Sequence, residues 1–223
     1  MEGDGLFTRK LEFSNKIKKI LKEYGNEKIV RIRVGRRPIS NMVKKAFNLI
    51  SLGKWNKLRK KYYYDKLFHL FLIITLEDGT KLSFEKNDIV NMEENDSRCS
   101  QKNVDCIELE YQQNSISVND LVKKPLDRIG KKDYFIYDPF KLNCQIFIKS
   151  ILETFGLYDN NTKNFVYQDI KDIVKELPFY VKWSGKAVTD IGAFSKKISG
   201  AGHQKEDIKT ITKFILEEIV NQK

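Results

Sequence analysis

The stretch that decides the fold is "KLFHLFLIITLEDGTKLSFEKNDIV", residues 66–90. Its first half is a run of bulky apolar and β-branched residues. It falls well short of the roughly 20 residues a membrane-spanning helix needs, and it ends at a Glu-Asp-Gly turn. Such a run reads as a buried strand, and the residues beyond the turn as its hairpin partner. Gly79 suits the left-handed position of a three-residue loop, a type I turn followed by a bulge. With Glu77, Asp78 and Gly79 as that loop, Leu76 pairs with Thr80, Phe71 faces Glu85 and His69 faces Asn87. Residues 83, 85 and 87 then share the face of His69, so Asn87 or Glu85 reaches an imidazole nitrogen. A two-residue turn would bring Asp88 opposite instead. An imidazole in an apolar strand costs free energy unless its polar atoms find partners. His69 is therefore either a hydrogen-bonded core residue or a positioned base.

The partner that would make it a base lies downstream, in "YDPFKLNCQIFIKSILETFGL", Tyr137–Leu157. Cys144 stands where a turn gives way to an amphipathic helix, with Ile148, Ile151, Leu152 and Phe155 as the buried stripe and Gly156 as the stop. A thiol at a helix start lies near the positive end of the helix dipole, and a nearby imidazolium lowers its pKa further. The alternative is a small buried hydrophobe. The other histidine, His203, sits in "SGAGHQKE", a poor place for a positioned group. A hairpin and a cysteine-bearing helix give an α+β fold: a small antiparallel sheet packed against that helix, with extra helices at both ends.

Helical spacing runs through residues 8–24 (Leu11, Ile17, Ile20, Leu21), 39–52 (Ile39, Val43, Phe47, Ile50) and the C-terminal segment (Ile208, Ile211, Ile215, Ile219). Residues 28–35 alternate as a strand, residues 92–103 read as a loop and residues 104–111 as another strand. "SVNDLVKKPL" reads as a short helix capped by Ser117 or Asn119. Residues 160–177 read as one helix ended by Pro178. The segment 183–202 is small-residue-rich and carries no motif.

The net charge of +11 is concentrated: residues 1–62 hold 18 Lys and Arg against 5 Asp and Glu. Arg31, Arg33, Arg36, Arg37, Lys44 and Lys45 are the candidates for contact with DNA or an anionic surface; a solvated basic face is the alternative. No transmembrane segment or secretory signal is expected. Three cysteines suggest no disulfide framework, and a reducing, intracellular setting is expected. Cys99 and Cys106 match no zinc spacing and no phosphate loop is present, so neither metal nor cofactor is expected.

The run Asn143-Cys144-Gln145-Ile146-Phe147, with Tyr137 seven positions before the cysteine, resembles the "Y…NCEHF" signature of lecithin:retinol acyltransferase-like proteins. These are circularly permuted relatives of papain and of NlpC-type cell-wall peptidases. "VGRRPIS", "LGKW", "YDKLFHLFLIITLEDG", "LSFEKNDIV" and "KLNCQIFI" are similar to papain-like proteins of large double-stranded DNA viruses and virophage-like elements. The resemblance spans roughly residues 30–157. It implies a permuted papain-like fold, with a basic N-terminal helix at 1–27, a catalytic core at 28–160, a helical extension at 161–200 and a C-terminal helix at 201–223. It implies Cys144 as nucleophile, His69 as base and Asn87 or Glu85 as the residue that orients the ring. Tyr137, Asn143 and Gln145 fall at oxyanion and substrate positions. Gln145 and Ile146 replace the family's glutamate and histidine, and its second histidine is absent.

Three functions are compatible with this reading. The first is a viral cysteine peptidase, a thiol hydrolase cutting capsid or other virion proteins in the virion or host cytoplasm. The second is a lipid-directed thiol acyltransferase or phospholipase, with the 39–52 helix (Phe47, Leu49, Ile50, Leu52) and Trp55 on a membrane surface. The third is an inactive structural or DNA-associated virion protein.

Overall fold

The computed structural model describes residues 11–39, 44, 48, 51–62, 67–112, 115–138, 141–168 and 171–177. The readings made for most of the 39–52 helix, Lys45, the 183–202 segment, His203 and the C-terminal helix lie outside these residues.

Five antiparallel strands form one sheet: β1 (Ile29–Pro38), β2 (Phe68–Leu76), β3 (Lys81–Lys86), β4 (Val90–Glu94) and β5 (Asp105–Glu108), in the order β4-β3-β2-β1-β5. The hairpin register places Leu72 opposite Phe84 and Thr75 opposite Lys81, with Leu76 N–H on the Thr80 carbonyl at 2.9 Å. Gly79 closes that turn at φ 86°. On one side Leu70, Leu72, Ile74, Leu82 and Phe84 join Ile32 and Val34 in the main core. Helices α1 (Asn15–Tyr24), α3 (Val118–Phe135) and α4 (Cys144–Thr154) cover that face, through Ile17, Ile20, Leu121, Val122, Phe147, Ile148, Ile151 and Leu152. The molecule is thus a mixed α+β fold, a small antiparallel sheet flanked by helices.

Phe71 and Ile73, on the opposite face of β2, are also buried, so the central strand is covered on both sides. That is why its sequence reads as an unbroken apolar run and not as an alternation. Helix α2 (Lys54–Lys61) meets α6 (Lys171–Glu176), where Trp55, Leu58, Ile173 and Leu177 are buried.

Local details depart from the sequence pattern at definite places. A register shift between Ile29 and Arg31 lets Ile29 and Ile32 both enter the core, which strict alternation forbids. Residues 90–94 form an edge strand because Val90 and Met92 bury one side of an otherwise polar segment. The helix begun by Ser117 runs to Phe135: Ser117 and Asp120 form a reciprocal capping box, and Gly130, at φ 80° and ψ 158°, breaks the helix without ending it. Residues 160–177 divide into α5 (Asn160–Val166) and α6, and among the described residues the first helix begins at Asn15.

Gly35 of β1 illustrates how tight the second face is. A Cβ there would overlap the Phe71 ring lying against it. Gly35→Ala is expected to cost about 2 kcal/mol by overpacking, read as a lower urea midpoint at unchanged slope.

Candidate functional site

Cys144 opens α4 behind Asn143, whose Oδ1 accepts the N–H groups of Gln145 at 3.0 Å and Ile146 at 3.2 Å. The cap fixes where the helix starts, and the apolar face of Phe147, Ile148 and Ile151 fixes its depth on the sheet. Cys144 is 6% exposed and is the free cysteine of the chain. Gln145 ties this helix to the strand bearing the histidine. Its Oε1 accepts the Gln168 N–H at 3.1 Å, and Gln168 Oε1 accepts the N–H of Phe68 at 3.1 Å, next to His69. Gln168 has no signal in the sequence.

His69 lies between two partners. Its Nε2 is 2.8 Å from Glu85 Oε2, and Cys144 is close enough to interact with the imidazole. Glu85, not Asn87, therefore meets the ring; the Asn87 N–H is turned onto the Ile89 carbonyl at 2.9 Å. The same Glu85 oxygen receives Arg98 Nη1 at 2.8 Å and lies 3.6 Å from Arg37 Nη2. Arg98 in turn holds Asp96 at 2.6 Å through Nε and lies over the Phe71 ring. Neither Arg98 nor Asp96 stands out in the sequence, because the segment carrying them is polar throughout.

The electrostatics follow from this crowding. Burial works against an imidazolium at His69. The Cys144 sulfur and then Glu85 outweigh it and carry the pKa up to about 9. Burial likewise opposes a thiolate at Cys144, but His69 beside it and the Leu70 N–H pull the thiol below its ordinary value. Glu85, despite its burial, is held well below the usual carboxylate range by His69, Arg98 and Arg37. Each of the two groups thus favours the charged form of the other, and a carboxylate backs the imidazole. Lys86, fully buried, donates to the Asp133 carbonyl at 2.8 Å and lies over Phe147. Burial brings it down to about 8, against the opposing pull of Asp133 and Cys144. Tyr137 is raised by burial and then by Cys144, Asp138 and Asp88, so its hydroxyl stays a donor.

Three of the six basic candidates are paired within the chain. Arg31 pairs with Glu108, Arg36 with Asp105 and Arg37 with Glu85. Arg36 also stacks on Phe68 and Phe165. Arg33 is half-buried with its Nε unpartnered, and Lys44 is half-buried on a helical residue. Among the described residues no helix is long and apolar enough to cross a membrane.

One finding corrects the sequence reading directly. Cys99 and Cys106 form a disulfide, Cα to Cα 5.8 Å. Such bonds persist in oxidising compartments, so the expectation of a reducing, intracellular setting is overturned. The viral cysteine peptidase or thiol hydrolase of virion and cytoplasm goes with it, together with the hydrolase and protease vocabulary. That reading placed all three thiols in a reducing interior, and two of them are oxidised. Comparison with known proteins matches no family model, no curated protein and no solved structure.

Proposed function

We propose that Cys144 is the acyl-carrying nucleophile of a lipid-directed thiol acyltransferase, in a permuted papain-like arrangement. The observation that carries this is the grouping of Cys144, His69 and Glu85, with His69 Nε2 2.8 Å from Glu85 Oε2 and the buried Cys144 thiol interacting with His69. In the proposed cycle the thiolate attacks an ester carbonyl and a C–S bond forms. The oxyanion is held by the N–H of Cys144 and the Tyr137 hydroxyl. Collapse breaks the C–O bond, and the leaving alkoxide takes its proton from His69. An acceptor hydroxyl or amine then attacks the thioester and returns its proton to His69, restoring the pair.

Two features favour transfer to a lipid-side acceptor. The sulfur's slight exposure shields a thioester from water. Ile146, two residues into the same helix, is 37% exposed, so an apolar side chain faces solvent close to the nucleophile.

The test is to incubate the protein with short-chain phosphatidylcholine vesicles and follow intact mass. A hydroxylamine-labile acyl adduct on Cys144, absent in Cys144→Ala, is expected. No adduct from any ester donor, with Cys144 inert to alkylation in the folded protein, would leave the cysteine a buried structural residue.

A further inference from the structure

The acyl-transfer reading uses Cys144, His69 and Glu85 and leaves two neighbouring features unemployed: Arg98 and the disulfide beside it. Arg98 occupies the single turn Arg98–Ser100, and the next residue, Cys99, is bonded to Cys106 of β5. Cys106 is paired across the sheet with Gly35, the residue on which the Phe71 ring lies. The Arg98 guanidinium lies 4.2 Å from the centre of that same ring. Disulfide, Gly35, Phe71 and Arg98 therefore form one locus, and from it Arg98 reaches Glu85. The chain from Asp96 to Arg98 has little else to hold it: Asp96 Oδ1 accepts the Arg98 N–H at 2.8 Å, and the turn closes on itself through Gln101. Arg98 Nε and Nη1 hold Asp96 and Glu85, while Nη2 is buried without a hydrogen-bond partner among the described residues.

Resting on that acyl-transfer reading, we propose that Arg98 is a positioning residue of the Cys144 site and that the Cys99–Cys106 disulfide is the clamp that keeps it there, so that a dithiol reductant turns the site down. The disulfide takes two electrons and two protons from the dithiol, giving two thiols and the reductant's cyclic disulfide. Cys144 lies outside this exchange.

The groups that face one another are Arg37 from β1, His69 from β2, Glu85 and Lys86 from β3, Asp96 and Arg98 from the loop, Tyr137 ahead of α4, and Cys144 from α4. Withdrawing Arg98 takes one positive charge from this buried set and leaves Asp96 without its cation. Every remaining group then holds its proton more tightly. The thiolate is the reactive form, so less of it is present near neutral pH.

The experiment uses the full chain and two readouts: the NMR titration midpoint of His69, and the pH profile of iodoacetamide alkylation at Cys144. Wild type, oxidised and after dithiothreitol, is compared with Arg98→Met, Arg98→Lys and the Cys99→Ser/Cys106→Ser pair, with near-ultraviolet dichroism recorded to confirm that each is folded. Arg98→Met and the reduced or serine forms are expected to move both midpoints up by about one pH unit. Arg98→Lys, which keeps the charge but cannot bridge Asp96 and Glu85, should move them less. Adding Arg98→Met to the serine pair should move them no further. Midpoints that stay put in Arg98→Met, or that move there but not on loss of the disulfide, overturn the proposal. If the His69 midpoint moves as expected while no acyl adduct forms on Cys144, the acyl-transfer reading fails and the Arg98 coupling stands. An adduct with unmoved midpoints gives the reverse.

Discussion

Alanine at position 69 is expected to slow alkylation of Cys144 at pH 6 by about 100-fold or more. Without the imidazolium the sulfur keeps the burial that opposes its charge and loses the cation that outweighs it. Its pKa then rises to or above that of a free thiol, about 8.5, where roughly one thiol in 300 is ionised at pH 6. In wild type the reactive form should persist well below that range, and its profile should change again near pH 9, where His69 gives up its proton. Rates of iodoacetamide labelling from pH 5 to 10, with the labelled site assigned by peptide mass, measure this directly. Equal rates at pH 6 in wild type and His69→Ala would mean that the thiol is protonated at rest and that no charge pair exists.

Glu85→Gln is expected to destabilise the fold by about 3 kcal/mol and to remove an acid-sensitive limb of its stability. The carboxylate is 4% exposed and receives His69 and Arg98 at 2.8 Å, with Arg37 at 3.6 Å. An amide cannot balance these cations, and its NH₂ group would face donors. In the folded chain the Glu85 pKa is depressed, whereas an unfolded glutamate titrates near about 4.3. A depressed carboxyl pKa contributes stability that is fully present above the unfolded value and lost as pH falls through it towards the folded one. Wild type should therefore lose stability steeply below about pH 4.3. Glu85→Gln should start lower and fall less. Urea midpoints from pH 3 to 7 test this, and parallel curves for the two proteins would count against the linkage.

The hairpin was legible because its turn leaves little choice. Gly79 sets the loop, the loop sets the register, and the register puts Glu85 of β3 and Asn87 just beyond it on the face of His69. Choosing Glu85 over Asn87 needed more than register. The chain turns back at Asn87 through its N–H to Ile89, and two arginines reward a carboxylate at 85. One of these, Arg98, arrives from a polar segment with no periodicity, and the disulfide beside it joins cysteines whose proximity depends on β5 pairing with β1. Sequence spacing contains neither fact. Spacing likewise does not show that the sheet brings Glu108, Asp105 and Glu85 alongside Arg31, Arg36 and Arg37.

The outer strands of the sheet carry a separate consequence. β4 and β5 are five and four residues long and present Glu93, Glu94, Asp105 and Glu108. A strand edge is a template on which another chain can extend a sheet, and short acidic edges blunt it by geometry and repulsion. The strongly apolar β2, whose sequence would zip readily with a copy of itself, is the strand placed farthest from either rim. Its aggregation hazard is thus confined to the chain before the sheet has closed around it.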